Sequence, residues 1–345
     1  MRKKRLAALL AALLLALALP ACSAEEEPPA IRIGVAIYLQ EDTFISTITQ
    51  HLQQMAMEEE QARGVKINLS IADSRGNQSV QNEQVDRFLD RGCDVICVNI
   101  VDRTAAAVLV DKAQAAGVPI IFFNREPVEE DLNRWERAYY VGSKADRAGK
   151  LQGELVLNAW RFSQEELDRN GDGVLQYVML EGEPGHQDAL MRTEYSVRTL
   201  VSAGVPVEKL ANNNADWQRG QAKMRMQQWL DQLEKPIEVI FANNDDMALG
   251  AIDALVEEGI PPEEMPFIVG VDATPPALAA MAEGSLKGTV QNDAKGQAER
   301  MLELCCKLAF GEELPPEKIA DGHYVWLWYT AVTKENLTAL LGELS

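Results

Sequence analysis

The chain has 345 residues, of which 47% are hydrophobic and 25% are charged, a composition typical of a folded globular protein rather than a disordered one. This length exceeds that of an average domain built on one hydrophobic core, so two lobes are expected. The formal net charge is −20 at pH 7, and a surface this acidic argues against nucleic acid or an anionic membrane as a binding partner.

The N-terminus has the pattern of an export signal. A basic cluster precedes an apolar run over 7–19, which is too short to span a bilayer and has the length of a signal-peptide core. The run leads into Leu19-Pro20-Ala21-Cys22, which resembles the lipobox of bacterial lipoproteins. We therefore expect a lipoprotein signal peptide over 1–21, lipidation of Cys22 and a short acidic tether over 22–30. A plain secretory signal with an incidental cysteine is the alternative.

From residue 31 onward, β-branched and apolar runs alternate with helical patterns. In the first half, strands are predicted over 31–38, 65–72, 95–100 and 119–123, with helices over about 43–62, 79–91 and 105–116. A second series begins near residue 139, with helices over about 144–160 and 294–310 and strands over 176–180, 207–210, 238–241, 267–271 and 288–290. The alternation predicts parallel sheets covered on both faces. Because the pattern restarts, two doubly wound lobes fit better than one barrel.

Polar side chains follow several predicted strands. They are Asp42, with Phe44 beside it, and Asn124, Asn244, Asp272 and Asn292. Taken singly, each Asn or Asp is better explained as a helix cap or a turn residue. Because ligands bind beyond the carboxyl ends of parallel strands, a whole set of them at those ends indicates a ligand site.

The segment 182–192 adds three more candidates to these strand ends. It follows the apolar run 177–180 and opens a helix, which places His186, Asp188 and Arg192 near the helix start. An imidazole, a carboxylate and a guanidinium offer both hydrogen-bond donors and acceptors to a polyhydroxylated ligand. On their own, one histidine and two charges at a helix start are more often a cap and a solvated helix face than a ligand site.

A possible metal site is visible in the segment 168–176, which follows the D-x-[DN]-x-[DN]-G pattern of a calcium-binding loop. Position 12 of that pattern is Met179, which cannot supply the usual bidentate carboxylate. From the pattern alone, calcium and an Asx-rich turn remain equally open. The ligands offered by the loop would be Asp168, Asn170, Asp172, Val174 and Gln176.

Other chemistry-bearing residues carry less information. The cysteines besides Cys22 have neither zinc nor thioredoxin spacing, so buried free thiols are expected, although an exported location leaves a disulfide open. Trp326, Trp328 and Tyr329 fall in a strand-like run and are expected in the core. These cysteines are Cys93, Cys97, Cys305 and Cys306.

Taken together, the motifs resemble those of the periplasmic galactose/glucose-binding proteins of bacterial ABC transporters, in the ribose-binding-like group of type I substrate-binding proteins. The resemblance covers about 31–341 and rests on the segments 33–38, 122–127, 138–142, 182–186, 242–245, 270–273 and 288–294. It implies two doubly wound parallel-sheet α/β lobes joined by a three-segment hinge, with crossings near 143–145, 291–292 and 326–328. The N-terminal lobe would comprise 31–143 plus 293–326, and the C-terminal lobe 144–291 plus 327–345.

The resemblance also implies a sugar site and completes the calcium loop. Phe44 and Trp217 would cover the two faces of a pyranose ring, and Asp42 would accept from the 4-hydroxyl of either D-galactose or D-glucose. Glu238 would supply the missing carboxylate of a structural calcium ion. Arg125 stands where the family commonly has lysine. The sugar site would consist of Asp42, Phe44, Asn124, His186, Asp188, Arg192, Trp217, Asn244, Asp272 and Asn292.

The expected function is therefore that of an extracytoplasmic lipoprotein of an ABC sugar importer, a monomer held at the membrane only by its lipid. It would close on one sugar and deliver it to the permease, without catalysis. The alternatives are a sensor that presents the sugar to a chemoreceptor or sensor kinase, and a binding protein for another monosaccharide or a methyl galactoside. A glycosidase would use two of the carboxylates. A two-lobe transcriptional regulator would carry a basic headpiece where this chain has its signal peptide and tether.

Overall fold

The structure is a computed structural model that describes residues 30–344, except for the side chains of Pro316 and of residues 341–344. The predicted signal peptide, the predicted lipidation site Cys22 and the tether up to residue 29 lie outside the described residues. Within the described part, no helix combines the length and apolar character that a membrane span requires.

Strands and helices alternate along the described chain. The strands are β1 (Ala30–Ile37), β2 (Lys66–Asp73), β3 (Val95–Val98), β4 (Ile120–Phe123), β5 (Ala138–Ser143), β6 (Leu175–Glu181), β7 (Val207–Asn214), β8 (Val239–Ala242), β9 (Phe267–Val269), β10 (Thr289–Gln291), β11 (Tyr324–Leu327) and β12 (Thr330–Val332). The helices are α1 (Thr43–Arg63), α2 (Gln78–Asp90), α3 (Ala106–Ala116), α4 (Glu129–Leu132), α5 (Ala145–Phe162), α6 (Gln164–Leu167), α7 (Gln187–Ser202), α8 (Arg219–Gln232), α9 (Asp245–Glu257), α10 (Pro275–Glu283), α11 (Ala294–Phe310) and α12 (Lys334–Leu344).

The first sheet is entirely parallel and has the strand order β2-β1-β3-β4-β5-β11. Every residue of β3 and β4 is buried, because helices cover both faces of a doubly wound sheet and leave no solvated side to the central strands. The chain adds β2 on one side of β1 and β3 on the other. The strand order therefore reverses beside β1, which is where such sheets open a crevice for ligands.

The second sheet has the order β7-β6-β8-β9 and is also parallel, with its reversal beside β6. Strands β10 and β12 form a separate antiparallel pair, and two isolated parallel bridges link the β9 and β10 regions. The antiparallel pair departs from the all-parallel sheets expected from the sequence. Its cause is the path of the chain, because β12 follows directly from β11 of the first sheet and so enters beside β10 from the opposite direction.

The chain passes between the two sheets at three places. It leaves β5 for α5, which packs on α7; it leaves β10 for α11, which packs on α1; and it leaves β11 for β12. Trp328 lies in this last connection and is 77% exposed. The prediction that Trp328 packs in the core is therefore wrong. The run 326–329 is not one strand but the end of β11 followed by a short connection.

The four described cysteines are buried and free. The sulfur of Cys97 on β3 lies 3.4 Å from the sulfur of Cys305 on α11. The closest thiols thus come from distant segments rather than from the sequence-adjacent pairs. The contact with Cys97, together with burial, raises the pKa of Cys305, which keeps its thiol protonated.

Candidate functional site

A cavity lies where the carboxyl ends of the two sheets face each other. Nine of the ten residues predicted for the sugar site line this cavity. The tenth, Asn292, is buried behind it, where its side-chain amide donates to Asp272 Oδ1 over 3.2 Å. The cavity is lined by Tyr38, Asp42, Phe44, Ile45, Asn124, Arg125, His186, Asp188, Arg192, Trp217, Asn244 and Asp272.

Three of these residues also cap helices. Asp42, His186 and Asn244 each accept a backbone N–H from the first turn of α1, α7 and α9, over 2.9, 3.1 and 3.0 Å respectively. Capping and cavity lining are thus not alternatives for these side chains. The cap fixes the side chain at the helix start, and the helix start points at the cavity.

Backbone strain is also concentrated at the cavity. Asn124, Trp217 and Asp272 have φ angles of 62°, 65° and 114°, in the region that residues with a Cβ rarely occupy. Each such residue costs on the order of 1–3 kcal/mol, and such costs persist mainly at functional sites. Asn and Asp adopt positive φ more readily than other residues with a Cβ, so the strain at Trp217 in particular points to a role that requires its side chain.

A buried ion pair forms one wall of the cavity. Arg192 donates to Asp188 Oδ2 over 2.8 Å, to the carbonyl oxygen of Asn243 over 2.7 Å and to the hydroxyl of Tyr329 over 3.3 Å. Burial raises the pKa of Asp188, and Arg192 opposes that shift. Burial, together with the neighbouring arginines, holds the pKa of His186 well below its usual value, so the imidazole is neutral.

Two aromatic side chains and two unpaired donors complete the site. Phe44 and Trp217 are 6% and 8% exposed, and the indole meets the His186 ring edge-on with centroids 5.1 Å apart. The buried indole N–H of Trp217 and the Nε of Arg192 have no acceptor among the described residues. Since buried polar atoms are normally paired, these donors fit a hydroxylated ligand.

Sequence reasoning missed three residues at this site. Tyr38 and Arg125 line the cavity, and Tyr329 lies on its ion pair. Sequence signals could have found two of them. Tyr38 lies at the end of β1, and Arg125 is adjacent to Asn124. No sequence pattern places Tyr329 there, because it follows the third passage between the sheets.

The predicted calcium loop lies at the other end of β6. Its backbone is folded around its own carboxylates: Asp168 accepts the N–H of Asp172 and Gly173, over 3.1 and 2.9 Å. Glu238, which is 1% exposed, accepts the N–H of Arg169 over 2.7 Å and of Gln176 over 2.9 Å. The carboxylate of Glu238 thus lies at the loop, whose own position 12 is Met179 and offers no carboxylate.

The donors of this loop suit a hard cation. They are carboxylate, amide and carbonyl oxygens, which Ca²⁺ prefers. The described residues contain no ready-made group of three or more His, Cys, Asp or Glu side chains that could hold a metal. An ion here would therefore depend on the amides and the backbone carbonyl of the loop as well as its acids.

Comparison with known proteins gives consistent matches over most of the chain. The family described as the periplasmic binding protein domain matches residues 33–313. The D-galactose/methyl-galactoside binding periplasmic protein of Haemophilus influenzae is 37% identical over 310 residues, which cover 89% of this chain and 90% of that protein. A putative rhizopine-binding protein of Rhizobium meliloti is 32% identical over 278 residues, or 80% and 83% of the two chains.

Solved structures resemble the whole described architecture. An ABC transporter solute binding protein from Bacillus halodurans with bound myo-inositol superimposes with a TM-score of 0.75 at 30% identity, covering 92% of this chain and 99% of that one. A protein from Mycobacterium smegmatis in complex with β-D-fucofuranose gives a TM-score of 0.77 at 25% identity, covering 91% and 95%. The bound molecules in both are small polyhydroxylated rings.

Proposed function

Because this chain belongs to the periplasmic binding protein domain family, we propose that it binds D-galactose and D-glucose between its two lobes and delivers them to an ABC permease. The chain is a sugar-binding protein of the ABC-transporter type, with the type I fold and an extracytoplasmic location. Its family consists of substrate-binding proteins of transporters and not of enzymes.

The observation that carries the proposal is the chemistry of the cavity. Two aromatic side chains, Phe44 and Trp217, line it together with carboxylates, amides, a neutral imidazole and a guanidinium. A pyranose has weakly polar faces and a rim of hydroxyls, so it needs both kinds of contact. The 37% identical relative is described as binding D-galactose and methyl galactoside, which supports a galactose-type ligand.

A second candidate ligand is a cyclic polyol such as myo-inositol. It is favoured by the solved relative at 30% identity, which holds that molecule. An inositol presents the same combination of ring faces and hydroxyl rim but lacks a ring oxygen and a hydroxymethyl group. A sensor role, in which the closed protein meets a receptor rather than a permease, uses the same site.

The proposed mechanism is hinge closure. The lobes would be 31–143 plus 293–326 and 144–291 plus 327–345, moving about the three connections between the sheets. A chain of hydrogen bonds supports coupling between the site and the hinge. Asn292 donates its amide N–H to Asp272, and its amide oxygen accepts from Gln297 on α11 over 2.9 Å. Lipidation at Cys22 would hold the monomeric protein near its permease.

Calorimetric titration of the mature chain with D-galactose and D-glucose tests this proposal. We expect one-to-one binding of at least one of the two hexoses, with myo-inositol much weaker. Tight binding of myo-inositol and no heat with either hexose, from a protein that remains folded, would make the second candidate the ligand.

A glycine beside Trp217 gives a sharper test of the site. A Cβ at Gly182 would lie 2.2 Å from the indole, so Gly182→Ala should displace the ring from its stacking position. We expect the sugar dissociation constant to rise by about fivefold, in line with the roughly 1 kcal/mol attributed to aromatic contacts. Titration with D-galactose measures the change.

Gly220→Ala is the matched control. This glycine lies on α8, and a Cβ there would meet nothing within 4 Å, so the substitution should leave binding unchanged and help the helix. Equal affinities for Gly182→Ala and the wild-type protein would remove Trp217 from the proposed site.

We also propose that Asp168, Asn170, Asp172, Val174, Gln176 and Glu238 hold a structural calcium ion. Two observations support this. The loop offers only oxygen donors, and Glu238 accepts backbone N–H groups from Arg169 and Gln176, near the two ends of the loop. When bound, the ion would supply positive charge that neutralises a buried carboxylate whose pKa is raised by burial. The loop precedes β6 and the sugar cavity follows it, so the ion would act on stability rather than on the sugar.

A further inference from the structure

We infer that Arg125 and Glu183 form a latch that holds the two lobes closed and sets the rate at which the ligand leaves. The inference rests on the proposed function, in that it assigns this pair a role in release from the same cavity. Arg125 follows β4 of the first sheet, and Glu183 follows β6 of the second. The pair, here called the latch, therefore joins the two lobes.

The geometry of the latch is that of a two-pronged ion pair. The two terminal nitrogens of Arg125 each donate to one carboxylate oxygen of Glu183, both over 3.1 Å. The Arg125 side chain is 5% exposed and that of Glu183 is 36% exposed. Among the ion pairs of the described side chains, this one alone joins the lobes.

Arg125 is held ready for this contact by its own lobe. Its guanidinium carbon lies 3.5 Å from the centroid of the Tyr38 ring, and one nitrogen donates to the carbonyl oxygen of Val101 over 3.0 Å. The Tyr38 hydroxyl in turn donates to Asp42, a proposed sugar ligand. A guanidinium fixed by a ring face and a carbonyl loses little side-chain freedom when the carboxylate arrives.

The latch also stands on a wall of the ligand cavity. Arg125, His186 and Asp188 line both this cavity and a second one of about 300 Å³ that borders it. Glu183 lines only the second cavity. The carboxylate therefore holds Arg125 from the outer side, without being part of the proposed sugar site.

Opening the lobes separates Arg125 from Glu183, and water replaces the forked contact at both groups. Charge-assisted forked pairs are stronger than neutral hydrogen bonds, so the pair adds to the free energy that opening requires. The ligand enters the open form, in which the latch is not yet made. The latch should consequently slow dissociation and leave association almost unchanged.

The test is a stopped-flow measurement of D-galactose binding and release, read from tryptophan fluorescence because Trp217 lines the cavity. Glu183→Gln keeps the shape of the side chain and removes its charge. We expect its dissociation rate to rise by about tenfold or more and its association rate to stay within about twofold of wild type. A dissociation rate equal to that of wild type would overturn the inference, as would a loss confined to association.

Asp253→Asn is the matched control. Asp253 forms a similar forked pair with Arg219, over 2.6 and 2.7 Å, but both residues lie in the second lobe on α9 and α8. Neutralising it should change neither rate. If Asp253→Asn accelerated release as much as Glu183→Gln, the effect would come from lost charge in general and the latch would be wrong.

A failure of the proposed ligand is distinguishable from a failure of the latch. If wild type binds neither D-galactose nor D-glucose, the proposed function fails. The effect of the latch on lobe opening is then tested without ligand, by small-angle X-ray scattering. Glu183→Gln should increase the radius of gyration, since the open form gains population, and Asp253→Asn should not. Equal radii for Glu183→Gln and wild type would overturn the latch.

Discussion

Replacing Asp272 with alanine should weaken the binding of D-galactose and D-glucose by about a hundredfold or more. Its carboxylate lines the cavity and accepts from Asn292, so the substitution removes acceptors for ligand hydroxyls and leaves the Asn292 amide unpaired. A hydrogen bond to a charged group contributes about 1.5–3 kcal/mol, and 1.4 kcal/mol corresponds to a tenfold change. Calorimetric titration of the variant measures the loss.

Two further variants separate this effect from a general loss of folding. Asp272→Asn keeps the shape but not the charge, and its affinity should lie between those of wild type and Asp272→Ala. Asp231→Ala changes an exposed carboxylate on α8 and should bind as wild type does. If Asp272→Ala bound either hexose within a few-fold of wild type, the assignment of the sugar site would be wrong.

Removal of calcium should lower the melting temperature by about 10 °C. An ion present at a thousand times its dissociation constant stabilises the folded state by about 4 kcal/mol. Each kcal/mol corresponds to about 2–4 °C in a unit of about 150–250 residues, the size range of the proposed second lobe that carries the loop. Differential scanning calorimetry with and without a chelator measures the shift. Sugar affinity should change little, because the loop and the cavity lie at opposite ends of β6.

Glu238→Gln tests whether the shift comes from this loop. The variant should melt near the temperature of the chelated wild type and respond weakly to added calcium. Glu234→Gln, at an exposed position of the same lobe, should keep the full response. A wild-type melting temperature that does not depend on the chelator would leave the segment 168–176 as an Asx-rich turn.

Much of the fold was predictable because its central strands are short, fully buried and separated by helical patterns. The runs at β3 and β4 were apolar throughout, which is typical of central parallel strands. The pair β10–β12 was not predictable, since its antiparallel direction follows from the third passage between the sheets and not from any local pattern. Trp328 was misplaced for the same reason.

The site was predictable in its residues but not in its geometry. Polar residues after strands could be recognised directly in the sequence. Asp42 and Asn244 need not be assigned either as helix caps or as ligand-site residues, because they cap helices and also line the cavity. The positive φ angle of Trp217 carries no sequence signal, because a large aromatic residue is not favoured there. The latch joins residues 58 positions apart, a pairing that requires both lobes to be placed.

The order of the first sheet bears on how the protein is made. Its edge strand β11 pairs with β5 but follows every strand of the second sheet in the chain. The first sheet therefore cannot be completed from a nascent N-terminal segment, because contacts between distant segments form only after the intervening chain exists. The N-terminal lobe of this extracytoplasmic protein therefore stays incomplete until residues near 327 have been made.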